Sequence, residues 1–339
     1  MITLGIECTA HTLSAGIVRD GVVLSNVIDM FRPPKGEGMI PRKLADHHAQ
    51  VFADVVRKAL AESKLTLREI DLIAFSQGPG IGSALAVGCG GAKYLAARAG
   101  KMLIGVNHCY AHVKISEHLT GIKNPLILYV SGGNSQIIIE KNNRYHVLGE
   151  TLDIGLGNLF DNFARAIGME HAHGSALEKF AEGGRYVELP YSVKGMNLVF
   201  SGLLTHAEKV AREKSKKDVA YSLMETAFAM TCEATERALF LTKKKGLIVC
   251  GGVAQNRRLQ HMLRTMCEED GVRFGVAADE FNRDNGAMIA YAGEVLYKKD
   301  KFAKIWPVRK LSNFRYKNKA IAKRRIESWQ PLPNQRIDR

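Results

Sequence analysis

Cysteine is sparse and unpaired in this chain of 339 residues. Six residues, Cys8, Cys89, Cys109, Cys232, Cys250 and Cys267, are scattered with no CxxC pair among them. That spacing excludes a disulfide frame and suits reduced thiols. No apolar run approaches membrane-spanning length. The opening Met1-Ile2-Thr3-Leu4-Gly5-Ile6 reads as a strand starting at once, with no basic stretch before it. A cytoplasmic protein with no membrane partner is expected. Aromatics make up only 7% of the chain, so no stacking platform for single strands is signalled. Neither a Walker A sequence nor a GxGxxG is present. Wholesale disorder is excluded too, because 46% of the residues are apolar, ample for a packed core.

Positive charge, in contrast, is plentiful. The formal net charge of +14 points to a polyanionic partner, nucleic acid first. Val106-Asn107-His108-Cys109-Tyr110-Ala111-His112 places two histidines four apart. On a helix they share one face, a common way to grip a transition metal with two imidazoles. A zincin peptidase would also need Glu beside the first histidine. Cys109 stands there instead, about 100° off the histidine face. A third ligand must come from far along the chain. Asp284, in the turn Asn282-Arg283-Asp284-Asn285-Gly286-Ala287-Met288, could supply it or could simply cap the helix that follows.

Taken in order, Ile2 to Val18 reads as strand, turn, strand, with the small, hydroxyl-rich turn Glu7-Cys8-Thr9-Ala10-His11-Thr12. A third strand follows Asp20-Gly21. Residues 41–63 form an amphipathic helix by apolar spacing; its His47 and His48 read as packing or surface residues. A strand from Asp71 to Ser76 runs into the glycine turn Gln77-Gly78-Pro79-Gly80 and then a helix rich in Ala and Gly. That geometry suits a phosphate cradle or tight helix packing. Pro125 to Glu140 repeats the first hairpin plan around Ser131-Gly132-Gly133-Asn134-Ser135. Lys244 to Cys250 again enters a glycine turn, Gly251-Gly252-Val253. A duplicated α/β fold with a cleft between the halves is expected. Between these, residues 151–168 read as a helix carrying Asp153, Asp161 and Arg165. His171-Ala172-His173-Gly174-Ser175 reads as a loop, and Ala220 to Leu241 as a long helix. Positions 314–339 hold eight Lys/Arg against two Asp/Glu, a basic tail or linker.

Eight of these motifs, in this order, resemble one family: the tRNA threonylcarbamoyladenosine transferases, in the archaeal and eukaryotic form that belongs to the KEOPS complex. They are Gly5-Ile6-Glu7-Cys8-Thr9-Ala10-His11-Thr12, Ser76-Gln77-Gly78-Pro79-Gly80, Asn107 to His112, Tyr129-Val130-Ser131-Gly132-Gly133-Asn134, Thr151-Leu152-Asp153-Ile154, Phe200-Ser201-Gly202-Leu203, Gly251-Gly252-Val253-Ala254 and Asp284-Asn285-Gly286-Ala287-Met288-Ile289-Ala290.

The resemblance implies a duplicated actin-like, Hsp70-like (ribonuclease H-like) two-lobe fold with a nucleotide cleft. The first lobe would span 1–124, completed by a helix near 291–312, and the second 125–290, leaving 313–339 as the tail. The implied reaction moves a threonylcarbamoyl group from threonylcarbamoyl-AMP to adenosine 37 of tRNAs reading codons that begin with adenine. His108, His112 and Asp284, with Tyr129 nearby or coordinating, would hold one divalent metal, iron in preference to zinc. Tyr129, Val130, Ser131, Gly132 and Gly133 would cradle the phosphate of the adenylate or of an ATP analogue. Asp161, Gly174, Glu178 and Asn256 would meet its ribose and base. Glu7 is the candidate general base. The implied partners are tRNA, a small atypical kinase (fused after the C-terminus in some archaea) and a dimerisation subunit.

One loop departs from the family. A Pro-Gly-Gly-Pro run after a histidine is replaced by Ala172-His173-Gly174-Ser175, a less rigid sequence to which His173 is expected to add nothing. Competing readings are an ATPase or sugar kinase on this fold, a metalloendopeptidase, and a non-enzymatic tRNA-binding scaffold. The first usually needs acidic residues in both hairpin turns, and the turn at 131–134 has none. Deleting residues 316–339 is expected to weaken tRNA binding and to flatten its dependence on salt. Binding curves across a salt series read this directly, and an unchanged slope would make the segment a linker.

Overall fold

The computed structural model describes residues 1–32, 39–142 and 144–299. The tail at 313–339 and residues 300–312 of the expected terminal helix lie outside them. The described chain divides into two units, one taking the residues up to Ala111 and from Asn285 onward, the other His112–Asp284. The sequence places the divides later, at 124 and 290. The first turn of the histidine helix counts with the first unit, where His108 meets Glu7. The last helix starts at Gly286, earlier than the sequence suggests.

The first unit is a five-stranded sheet in the order β3-β2-β1-β4-β5. Its strands are β1 (Ile2–Glu7), β2 (Thr12–Arg19), β3 (Val22–Met30), β4 (Leu72–Gly78) and β5 (Met102–Asn107). Strands β1, β2 and β3 pair antiparallel; β4 pairs parallel to both β1 and β5. Helices α1 (Pro41–Glu62) and α2 (Gly82–Ala99) join the hairpin to the parallel strands. The period of two in β1 decides what goes where. Leu4 and Ile6 point into the apolar core that holds Val55, Val56 and Ala59 of α1 and Ala92 and Ala96 of α2. Gly5 points the other way, against α10 (Gly286–Lys299). Glu7 follows two residues later on the side of Gly5.

The small residues of α2 serve close packing. A Cβ on Gly88 would sit 2.6 Å from Cys8 Cβ, and one on Gly91 would sit 2.1 Å from the Phe52 ring. Helix α10 comes closer still. A Cβ on Gly5 would lie 2.2 Å from Ala290 N, and one on Gly16 the same distance from Ala287 N. The first N–H groups of α10 have built-in acceptors, as buried helix ends require. Gly286 donates to Ser14 Oγ, Ala287 to Asn26 Oδ1 and Met288 to Asn285 Oδ1. Asn285 is therefore the cap, not Asp284.

The second unit repeats the plan. Its sheet runs β12-β11-β6-β7-β8, with β6 (Leu126–Val130), β7 (Ser135–Lys141), β8 (Arg144–Glu150), β11 (Gly246–Cys250) and β12 (Arg273–Val276). Again three strands pair antiparallel and the other two add in parallel. The duplication expected from the glycine turns is thus present as topology. Helix α3 (His108–Thr120) leads in from β5. Helices α4 (Leu156–Ala166), α5 (Gly174–Ala181), α6 (Ser201–Val210) and α7 (Lys216–Thr242) follow, with the short ribbon β9 (Val193–Lys194) and β10 (Asn197–Leu198) between α5 and α6. Helices α8 (Arg257–Glu269) and α9 (Asp279–Asn282) complete the unit. One core joins Phe160 and Phe163 of α4, Leu177 of α5, Leu203 of α6 and Phe228 of α7 to the sheet.

Two local expectations change. Asp153 lies ahead of α4, not on it. Its carboxylate accepts the N–H groups of Phe200 (3.0 Å) and Ser201 (2.7 Å) at the start of α6. Burial alone would raise that carboxyl, but these donors hold it below its ordinary value. The segment 171–175 is not all loop, since α5 begins at Gly174 and His173 is its cap. His173 Nδ1 accepts the N–H of Ala176 at 3.2 Å, so this side chain does contribute.

The seat of α10 gives a direct test. Gly5→Ala or Gly16→Ala is expected to cost on the order of 3 kcal/mol, because backbone must move. Gly90→Ala, with nothing within 4 Å of the added carbon, is expected to be neutral or to stabilise by up to about 1 kcal/mol. Urea midpoints of the three variants decide it.

Candidate metal and nucleotide site

Strand β5 ends at Asn107, whose Oδ1 accepts the N–H of Tyr110 at 3.1 Å and so starts α3 at His108. His108 and His112 then stand one turn apart on one face. Both are buried, at 8% and 1% exposure. Asp284 immediately precedes the cap of α10, and its Oδ1 lies 3.2 Å from His112 Nε2 across 172 positions of sequence. Ligand atoms of His108, His112 and Asp284 all lie within 4.8 Å of one another. Among the described residues they form the one group of three or more His, Cys, Asp or Glu side chains placed to share an ion. Two imidazoles and a carboxylate suit a divalent transition ion. Cys109 is not in the group. Tyr129, on β6, has its ring centroid 5.9 Å from that of His112 and is almost fully buried, which sets it beside the cluster.

Glu7 is engaged, not open. It is fully buried, with Oε2 3.0 Å from His108 Nδ1, while Oε1 accepts the N–H of Thr9 at 2.8 Å and its hydroxyl at 2.5 Å. Burial and the adjacent Glu7 charge push the Cys8 thiol up to about 12, so it stays protonated at neutral pH.

The second hairpin turn is shaped by α4. Gly157 and Asn158 donate their N–H groups to the carbonyls of Ser131 and Gly132. A Cβ on Gly155 would lie 2.5 Å from Gly132 O, so only glycine admits this contact. Gly132 and Gly133 are exposed at the tip, and Ser131 is half-buried. Tyr129 and Val130 are interior strand residues, so the part of the proposed cradle that can face a phosphate is 131–133. The remaining candidates come in two pairs. Asp161 Oδ1 accepts the N–H of Gly174 at 2.8 Å, tying α4 to the start of α5. One turn along α5, burial pushes the Glu178 carboxyl above its ordinary value, opposed by hydrogen bonds from Asn256 and the Arg257 N–H. Asn256 also caps α8 through Leu259. The contact of Glu7 with His108 was not readable from the sequence. The hydroxyl-rich turn at 7–12 was the available signal, but nothing local says which distant residue it faces.

Architecture first defines a class. Two α/β units with one strand plan match solved structures of the actin-like kind. The chain superposes on HypF from T. kodakarensis with a TM-score of 0.62 at 14% identity, covering 91% of this chain and 49% of that one. It superposes on component A of the Acidaminococcus fermentans (R)-2-hydroxyglutaryl-CoA dehydratase with a TM-score of 0.52 at 14% identity, covering 89% and 99%. These likenesses concern fold alone. Sequence then narrows the class. A family model described as tRNA N6-adenosine threonylcarbamoyltransferase matches residues 22–291. The protein of that name from Thermococcus sibiricus is 50% identical over 301 residues, 88% of this chain and 92% of its own. A probable bifunctional tRNA threonylcarbamoyladenosine biosynthesis protein from Methanosarcina mazei is 50% identical over 299 residues, 87% of this chain but 54% of its own. The chain belongs to the tRNA N6-adenosine threonylcarbamoyltransferase family.

The cap and the carboxylate beside it can be separated. Asn285→Ala is expected to lower stability by about 1 kcal/mol through the lost cap. Asp284→Ala, which leaves that cap in place, is expected to cost less than half as much. Urea denaturation of the two metal-free variants reads the difference.

Proposed function

We propose that this chain transfers a threonylcarbamoyl group from threonylcarbamoyl-AMP to the exocyclic amine of adenosine 37 in tRNAs reading codons that begin with adenine. The observation that carries it is the convergence of His108, His112 and Asp284 in a chain half identical, over most of its length, to relatives bearing that activity in their name.

The reaction pits a poor nucleophile, an aromatic amine, against a carbamoyl carbon whose leaving group is AMP. A divalent ion held by His108, His112 and Asp284, iron in preference to zinc, would polarise the carbamoyl carbonyl and anchor the threonyl part. Tyr129, packed beside His112, narrows that pocket and is available as a further contact. The exposed turn Ser131-Gly132-Gly133 presents backbone N–H groups suited to the phosphate that departs. Asp161 with Gly174 and Glu178 with Asn256 stiffen the elements that would meet ribose and base. Hydrogen bonding within each pair fixes those side chains before the nucleotide arrives. Glu7 is turned onto His108 and buried, which favours a positioning role over that of the base removing the amine proton.

The net charge of +14 supports tRNA as the partner, through phosphate contacts that release counterions. The Methanosarcina mazei relative, whose own length is nearly twice the matched part and whose name is bifunctional, supports work beside a kinase. A dimerisation subunit and a cytoplasmic location complete the proposal. No helix among the described residues is long and apolar enough to cross a membrane.

The test is transfer of labelled threonylcarbamoyl from its adenylate onto tRNA, with kinase and dimerisation partners supplied. Metal-loaded protein is expected to yield the modified adenosine. His108→Ala or Asp284→Ala is expected to lose bound metal and at least 100-fold in rate together. Folded, loaded protein that yields no product would falsify the reading, and full metal occupancy in either variant would remove those residues from the ligand set.

A further inference from the structure

The turn at 7–12 is built with more care than a simple hairpin connection needs. Glu7 leaves β1 on the face of Gly5, away from the apolar core, and is fully buried. A carboxylate there must be matched by donors or it would cost several kcal/mol. Three donors reach it: the Thr9 N–H, the Thr9 hydroxyl and a ring nitrogen of His108. The donors are themselves held. Cys8 N–H donates to Ser76 Oγ at 2.9 Å, and Thr9 C=O accepts the Ile81 N–H at 2.7 Å. Gly80 lies so close that a Cβ there would sit 2.5 Å from Thr9 O. From α1, the fully buried His48 places Nε2 2.8 Å from the carbonyl of Ala10. The turn is thus gripped by α1 and by the segment 76–81. These contacts account for two motifs, Glu7 to Thr12 and Ser76 to Gly80, that substrate binding leaves unexplained.

An ionised carboxylate only accepts, so the proton it takes from His108 must sit on Nδ1. The imidazole is then fixed in orientation and in tautomer, with its lone pair on Nε2. A carboxylate behind a ligating imidazole also raises the basicity of that lone pair. We infer that Glu7, locked by Thr9, is a positioning residue that fixes the tautomer and aim of His108 for metal binding. This rests on the proposed metal site. Glu7 itself touches neither substrate nor ion in this account. Thr9 sets the Glu7 rotamer, and Ser76, Gly80 and His48 hold the turn that carries both.

The experiment titrates the metal-free full chain with cobalt(II), whose visible bands report ligand number and field. It is read beside side-chain 15N spectra of His108. Wild-type protein is expected to bind one cobalt(II) ion, with His108 protonated on Nδ1 before the ion is added. Glu7→Ala is expected to lose about 100-fold in affinity, and Glu7→Gln, whose amide oxygen still accepts from Nδ1, about 10-fold. Thr9→Val, close in shape to threonine, is expected to lose severalfold and to shift the cobalt bands without changing stoichiometry. Recovery of the His108 tautomer in Glu7→Gln but not in Glu7→Ala separates orientation from general damage. Glu7→Gln and Thr9→Val keep the side-chain volume and so guard against a Glu7→Ala chain that fails to fold. Wild-type affinity in folded Glu7→Gln and Thr9→Val, or a His108 Nδ1 without a proton, would overturn the inference while leaving the transferase reading intact. A wild-type chain that binds no cobalt(II) would overturn this inference and the metal site together.

Discussion

The seating of α10 on β1 and β2, backbone against backbone, is the constraint on which the candidate site depends. Gly5, Gly16 and Gly286 each lack a side chain where one would strike a main-chain atom at 2.2 Å. Such contacts leave a helix no freedom to slide, because its own N–H and C=O groups form the surface in contact. Ser14, Asn26 and Asn285 then accept the first three N–H groups of α10. With three caps supplied by other residues, Asp284 is released from capping. It sits one peptide bond ahead of a fixed point, its carboxylate directed to His112. A metal ligand drawn from 172 positions away needs that kind of anchor. Positional tolerance at an ion is a few tenths of an ångström, and only packed backbone supplies it.

Much of this was legible in the sequence, and the reason differs for each element. Four-residue spacing fixed the geometry of His108 and His112, because helical period alone determines which side chains share a face. Duplication showed in glycine turns, since a turn that requires glycine leaves that requirement in the sequence. Asp284 was readable as a ligand or as a cap, and local sequence could not choose. The choice was made by Asn285, an equally good cap one residue on, and by Ser14 and Asn26, which belong to distant strands. Asp153 was drawn onto a helix because acids near helix starts usually belong to the helix that follows. Here it serves α6, about 50 residues later, through the N–H groups of Phe200 and Ser201. His173 looked idle because histidine is an uncommon cap, yet a neutral imidazole nitrogen accepts an N–H as a carboxamide oxygen does.

The two halves of the site are built on opposite principles. Around the histidines, polar groups are buried and multiply bonded: Glu7 with its three donors, and His112 at 1% exposure beside Asp284 and Tyr129. Burial there stiffens ligands and lowers the local dielectric, which strengthens every charge interaction with a bound ion. At the second hairpin turn, backbone does the shaping and exposure is kept. Gly132 and Gly133 stand out at the tip while the N–H groups of Gly157 and Asn158 hold the turn from behind. A ligand that must arrive and leave on every turnover needs an accessible cradle, whereas a resident ion needs an enclosed one.

The replaced loop before α5 tests how far that distinction extends. Loss of two prolines removes backbone rigidity that would otherwise be fixed by covalent geometry. The structure restores part of it noncovalently. His173 caps the helix, Ser175 Oγ lies 3.0 Å from the same Nδ1, and Asp161 reaches across from α4 to the Gly174 N–H. Three hydrogen bonds on an exposed loop, each worth about 1 kcal/mol, hold less firmly than two fixed φ angles and can open locally. Gly174 and Glu178 therefore keep their register one turn apart on α5, while the residues before them are set by side-chain chemistry instead of ring constraint. Rigidity in this unit is concentrated where α4 meets the hairpin turn and relaxes toward the segment that leads into α5.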